Sequence, residues 1–154
     1  MTSEVAVFDS SSLIIFWQIE RLELLSQLFT EIVVPAAVTR EVAPSVGPLP
    51  SWIWERPAPK LPRKALALGA GEREAIALAL GLSADFVVLD DLAGRRVATS
   101  LGLHVTGSAG LLLRALDFGL IHSIRPDLDA MMAAGLYVSN RLYHEVLEAA
   151  GESN

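Results

Sequence analysis

The stretch "FVVLDD", residues 86–91, decides the fold. Four apolar residues run directly into two aspartates. A continuous apolar run of this length, ended by acids, reads as a strand buried on both faces, the habit of a parallel sheet. Asp90 and Asp91 then stand where that strand leaves the core. Adjacent carboxylates in such a place repel each other unless something cationic is near.

Working outward, the same texture recurs. "VAVF" (5–8) is a short apolar strand followed by Asp9 and a triple serine, residues 10–12, that can cap a helix within "LIIFWQIERLELLSQLF" (13–29). "EIVVP" (31–35) is a further strand, and Pro35 suits the first turn of a short helix, "PAAVTREV" (35–42). Residues 44–64 carry six prolines, two tryptophans and four basic residues, which reads as a long connection holding a short strand at 52–55. "GAGEREAIALALGL" (69–82) predicts a helix, "DFVVLD" (85–90) a strand, "LAGRRVATSLG" (92–102) a helix, "LHVT" (103–106) a strand and "SAGLLLRALDFG" (108–119) a helix. Two more helices are expected near 127–134 and 139–150. Strand and helix alternate throughout, so the fold class is α/β, with a parallel sheet covered on both faces by helices. The length of 154 residues predicts one domain, 1–154, with the C-terminal helices (127–150) packed on it.

Composition excludes several classes of function. With no cysteine, the chain has neither disulfides nor thiolate zinc sites, which fits a reducing cytoplasm. The net charge of −6 gives no global attraction to nucleic acid, although a local basic rim around an acidic site stays compatible with it. The mean hydropathy of +0.44 is high. Acids, glycines or prolines break every apolar run, so no membrane span is expected, and "MTSEVAVFDSSS" lacks the basic start of a signal peptide. The surplus apolar surface points to a protein interface, and a homodimer is expected.

In a parallel sheet, sites form beyond the carboxyl ends of the strands. Asp9 and the Asp90/Asp91 pair occupy such ends. Each acid also has a plain structural role open to it. Asp9 can cap a helix, and one of Asp90 and Asp91 can cap the next. Glu72 and Glu74 sit in a first helical turn, where acids offset the positive helix end. Glu41 lies in the last turn of its predicted helix, where a carboxylate faces the negative end of the dipole, so capping does not account for it. Glu72 and Glu74, two apart on a helix, point in different directions, and only one should aim at a given pocket. Acids from four separate segments converging on one edge call for a hard divalent cation with oxygen ligands, Mg²⁺ or Mn²⁺.

Asp9 in "DSSSLI", Glu41 in "VTREV", Glu74 in "GEREAIALA" and Asp91 in "VVLDD" together resemble the acidic quartet of the PIN domain, and the tail "GLYVSNRLYHEVLEAAGE" is similar to a prokaryotic PIN-like subfamily. The resemblance covers nearly the whole chain. It implies a Rossmann-like sheet of strand order 3-2-1-4-5 and metal-dependent endoribonuclease activity that leaves a 5′-phosphate and a 3′-hydroxyl. It also implies frequent homodimers and, in many relatives, the toxin half of a toxin–antitoxin pair with a protein antitoxin as partner. Asp9, Glu74 and Asp91 match the metal ligands, with Glu41 completing the set and Glu72 and Asp90 as secondary candidates. Three positions depart from the pattern: Leu89 stands where the family often has a hydroxyl, Ser11 where it often has Asn, and Asp90 is an extra acid.

Lys60, Arg63 and Lys64, beside Trp52 and Trp54, and the pair Arg95 and Arg96 after the aspartates are the candidate RNA contacts. His104, His122 and His144 lack paired ligand spacing, and Ser10 to Ser12 lack a base partner. Two readings compete with the nuclease. One is a PIN fold kept as a nucleic-acid- or protein-binding module, which Leu89 favours. The other is a receiver-type signalling domain, which would need an acid pair after the first strand and a late lysine; here one Asp follows that strand and the last lysine is Lys64.

Overall fold

The strand Val5–Phe8 (β1) is the centre of the sheet. It pairs in parallel with Glu31–Val34 (β2) on one side and Phe86–Val88 (β4) on the other, with Val7 level with Val33 and Val87. Ile53–Glu55 (β3) and Val105–Thr106 (β5) form the two edges, so the order is β3-β2-β1-β4-β5, all parallel. This is the order the PIN-domain resemblance implies. The computed structural model describes residues 3–152, so the four terminal residues of the expected 1–154 domain lie outside the described residues.

Both faces of the sheet are covered. Ala6, Phe8, Ile32, Val34 and Val88 point to one side, into a core shared with Ser10–Gln18 (α1), Ala36–Val46 (α2), Ser108–Asp117 (α5), Arg125–Ala133 (α6) and Asn140–Ala149 (α7). Val7, Val33, Val87 and Leu89 point to the other, against Ala70–Leu82 (α3) and Leu92–Ser100 (α4). The alternation of side chains along each strand gives both faces an apolar layer, hence the unbroken hydrophobic runs.

One helix occupies only the first part of its expected run, and one differs from expectation. The run 13–29 divides: α1 stops at Gln18, Glu20 takes a left-handed φ of 60°, and Leu22–Gln27 forms a 3₁₀ turn. The helix after β2 is longer than 35–42. Pro35 is its N-cap, and it continues through Pro44 to Val46. A proline this close to a helix end forfeits one backbone bond with little of the helix left to disrupt. Glu41 is therefore in mid-helix, and its expected place beside the negative helix end is corrected. Among the described residues, no helix is long and apolar enough to cross a membrane.

Candidate active site

Asp9 follows β1 directly. Its backbone N–H donates to Val88 O at 3.2 Å, which continues the strand pairing and fixes the residue in place. Its side chain caps α1, accepting from Ser12 N at 3.2 Å and Ser12 Oγ at 2.7 Å. Only 2% of it is exposed. Burial pushes its pKa from 3.8 to about 7, the Ser12 hydrogen bonds oppose that rise, and the nearby charges of Asp90 and Glu72 add to it.

Asp91 leaves β4 and caps α4, accepting from Gly94 N at 3.1 Å. Asp90 turns the other way. Its carboxylate accepts from Ser108 N at 2.8 Å and Ser108 Oγ at 2.6 Å, so it anchors the start of α5 and not that of the helix that follows it. The strand-end alternation expected of the pair is what the structure has.

Glu41 reaches across from α2. Its carboxylate accepts from the Ser10 hydroxyl and from Gly71 N, the latter at 3.2 Å. A Cβ on Gly71 would overlap the Glu41 carboxylate and stand 2.9 Å from Ser10 Oγ, so only glycine lets α3 approach this closely. Glu72, next along α3, faces α4. A Cβ on Gly94 would stand 2.7 Å from Glu72 Oε2, and that oxygen is buried with no hydrogen-bond partner. The pKa of Glu72 is raised by burial first, then by its closeness to Asp91 and by the charge of Glu41, against a Gly69 backbone N–H that favours the ionised form.

Asp9, Glu41, Glu72 and Asp91 thus line one pocket of about 240 Å³, together with Ser10, Ser11, Gly69 and Gly71. Glu74 lies outside it: its carboxylate accepts from Ala37 N at 3.1 Å, at the start of α2. Of the two α3 acids it is therefore Glu72, the secondary candidate, that enters the pocket. Spacing alone leaves this choice open, because it depends on how α3 is rotated against α2. No place in the site is read from the sequence for Ser10, Gly71 or Gly94; the signal within reach is the "GAG" before the first-turn acids, where small residues permit close approach.

The basic candidates are distributed differently. Lys60, Arg63 and Lys64 are exposed on the segment that enters the pocket at Gly69. Trp52 packs against the core, whereas Trp54 is exposed with the Arg56 guanidinium 5.5 Å from its ring centre. Arg95 is half-buried and donates to Leu89 O at 2.8 Å, while Arg96 is exposed.

The donor set suits a hard cation: every candidate ligand is a carboxylate, and Glu72 brings a buried oxygen with no partner. Among the described residues, no three Asp, Glu or His groups are drawn together so as to hold an ion as they stand. Asp9 is drawn off to Ser12, Asp91 to Gly94 and Glu41 to Ser10 and Gly71, each by a bond of its own.

Comparison with known families gives one match. A family model described as a PIN domain covers residues 5–152 of the chain. A search of curated proteins finds no match.

Proposed function

The chain belongs to the PIN domain family, a nuclease-type fold, and on that premise we propose that it is a Mg²⁺- or Mn²⁺-dependent endoribonuclease working at the Asp9, Glu41, Glu72 and Asp91 pocket. The observation that carries this reading is the buried, unpartnered Glu72 Oε2 in a pocket walled by three other carboxylates. Such an oxygen costs about 1–3 kcal/mol if nothing ever binds it. Asp9, Glu72 and Asp91 would hold the cation, with Glu41 completing the set directly or through water. When bound, the cation supplies Lewis-acid polarisation and a lowered pKa for the attacking water.

The chain's own residues set the geometry. Ser10 and Gly71 hold Glu41 at the rim, and Gly94 leaves room for Glu72. In the hydrolysis, water oxygen bonds to phosphorus, the bond from phosphorus to the 3′-oxygen breaks, and the products are a 3′-hydroxyl and a 5′-phosphate. Lys60, Arg63, Lys64 and Arg96 supply cationic contacts for the strand on either side. Arg95 spends Nη1 on Leu89 O and keeps its other nitrogens for such a contact. The proposed setting is the cytoplasm, which the absence of cysteine fits, and the resemblance implies a toxin held by a protein antitoxin. The proposed assembly is a homodimer through the helices after β1 and β2, where Trp17 exposes 43% of its surface.

A second reading, a PIN fold kept for binding alone, has its own support. Leu89 is fully buried where a hydroxyl would support the site, and the acids are not drawn into a ready cluster. One titration separates the two. Mn²⁺ should raise the melting temperature of the wild type, since a ligand bound only by the folded state stabilises it. The increase should vanish in Asp9→Asn/Asp91→Asn, as should cleavage of a labelled RNA library, with EDTA as control. Equal Mn²⁺ binding by wild type and double variant would sink the nuclease reading.

A further inference from the structure

A second concavity, of about 460 Å³, lies beyond the carboxyl ends of β4 and β5, within the range of small-molecule sites, roughly 300–1,000 Å³. The turn after β4 separates it from the acidic pocket: Asp91 lines one, Asp90 and Leu92 line the other. Its walls are apolar, including Leu113 and Leu136, with Tyr137 at the rim. Tyr137 is 85% exposed and Leu92 60%, so two apolar surfaces face solvent beside the groove. Its polar groups are few. Asp90 has both oxygens engaged by Ser108, whereas the Arg95 guanidinium uses Nη1 on Leu89 O and has no acceptor for Nε or Nη2 among the described residues.

We infer that this groove seats the base of a single-stranded RNA nucleotide adjoining the one cut in the acidic pocket, with Tyr137 as stacking surface and Arg95 as donor to base edge or phosphate. The inference rests on the nuclease reading above. A strand lying along the carboxyl edge of the sheet passes from one pocket to the other across residues 90–92, and its anionic backbone complements the unused Arg95 donors. An apolar peptide side chain would leave those donors idle. Apolar walls with an aromatic face and a few polar groups accept a base by stacking, which needs little sequence preference.

The test uses a labelled single-stranded oligoribonucleotide and, beside it, bis(p-nitrophenyl) phosphate, a diester too small to span both pockets. The oligonucleotide should shift the methyl resonances of Leu92, Leu113 and Leu136. Tyr137→Ala should weaken its binding and raise KM by ~5- to 100-fold, with kcat unchanged. Tyr137→Phe should restore both, and all three proteins should hydrolyse the small diester equally. If wild type cuts the oligonucleotide while Tyr137→Ala binds it as well and the leucine methyls stay still, the groove belongs to a protein partner and the inference falls alone. If Tyr137→Ala also loses the small diester, its role is in the fold and the subsite falls. If wild type binds and cuts neither probe, the nuclease reading fails and takes the subsite with it.

Discussion

At the amino edge of the sheet, Arg114 is surrounded by partners. Its guanidinium pairs with Glu4, donates to Leu28 O at 3.0 Å, and lies 4.5, 5.1 and 4.9 Å from the ring centres of Phe29, Phe86 and Phe118. At the carboxyl edge, four carboxylates share a pocket, and none of them enters an ion pair among the described residues. The first is part-buried, and in the second Asp9 is buried and Glu72 half-buried while Glu41 and Asp91 reach solvent. In the first the charge is neutralised within the chain, which serves stability. In the second no ion pair offsets the charges among the described residues, and it is there that the proposed cation would act. The unequal treatment of two edges of one sheet separates a structural charge from a functional one better than burial alone.

The comparison would break most visibly at Asp9. Its pKa rises from 3.8 to about 7, so the folded protein keeps a proton that the unfolded chain has lost between those values. The sign follows: the contribution of Asp9 to stability is complete below about pH 4 and is lost as pH climbs through about 7. Glu72, also raised, acts in the same direction. Cation-free wild type should therefore weaken as the solution is made alkaline, and Asp9→Asn should be the more stable of the two at about pH 8, by ~2–4 kcal/mol. The same variant should bind no Mn²⁺ and cut no RNA. Urea denaturation at about pH 5 and about pH 8, in EDTA, reads this directly. A wild type that gains stability across that window would show that Asp9 is compensated after all.

Arg114 should behave in the opposite sense. Arg114→Met removes an ion pair, a hydrogen bond and three aromatic contacts, and leaves Glu4 half-buried without its partner. A loss of ~2–3 kcal/mol is expected, with Mn²⁺ affinity unchanged. Chemical denaturation paired with Mn²⁺ calorimetry checks both halves. A fall in Mn²⁺ affinity would mean that the two edges are coupled through β4, and that the division drawn between them is too sharp.

Much of this is legible in the sequence. Continuous apolar strands and their alternation with helices specify the sheet and its two covered faces. Asp9 and Asp91 are readable because a strand end fixes where its last residue points. Both also cap helices, as the plain reading expects. What escaped depends on packing between elements. The orientation of Glu72 over Glu74 follows from Gly71 lying against Glu41 and Ser10, a contact between three helices that no local pattern encodes. Asp90 reaches past its own helix to Ser108, eighteen positions on, and a cap that skips an element has no sequence signature. The position of Glu41 was misjudged because Pro44 reads as a stop, although this helix continues through it.

The smallest effects on stability should come from the two α3 acids, and they test the division at its finest grain. Glu74 accepts one backbone bond at the start of α2, where a carboxylate also meets the positive helix end. Glu74→Gln keeps an acceptor and loses the charge, so ~0.5–1 kcal/mol of stability should go, with Mn²⁺ binding intact. Glu72→Gln removes a raised, partly buried charge from among three others, so cation-free stability should hold or rise slightly. Its Mn²⁺ affinity, however, should collapse, and RNA cleavage with it. Isothermal titration of Mn²⁺ into both variants, beside their denaturation curves, gives four readouts and only one consistent pattern. If Glu74→Gln loses the ion and Glu72→Gln keeps it, α3 must rotate when the cation binds.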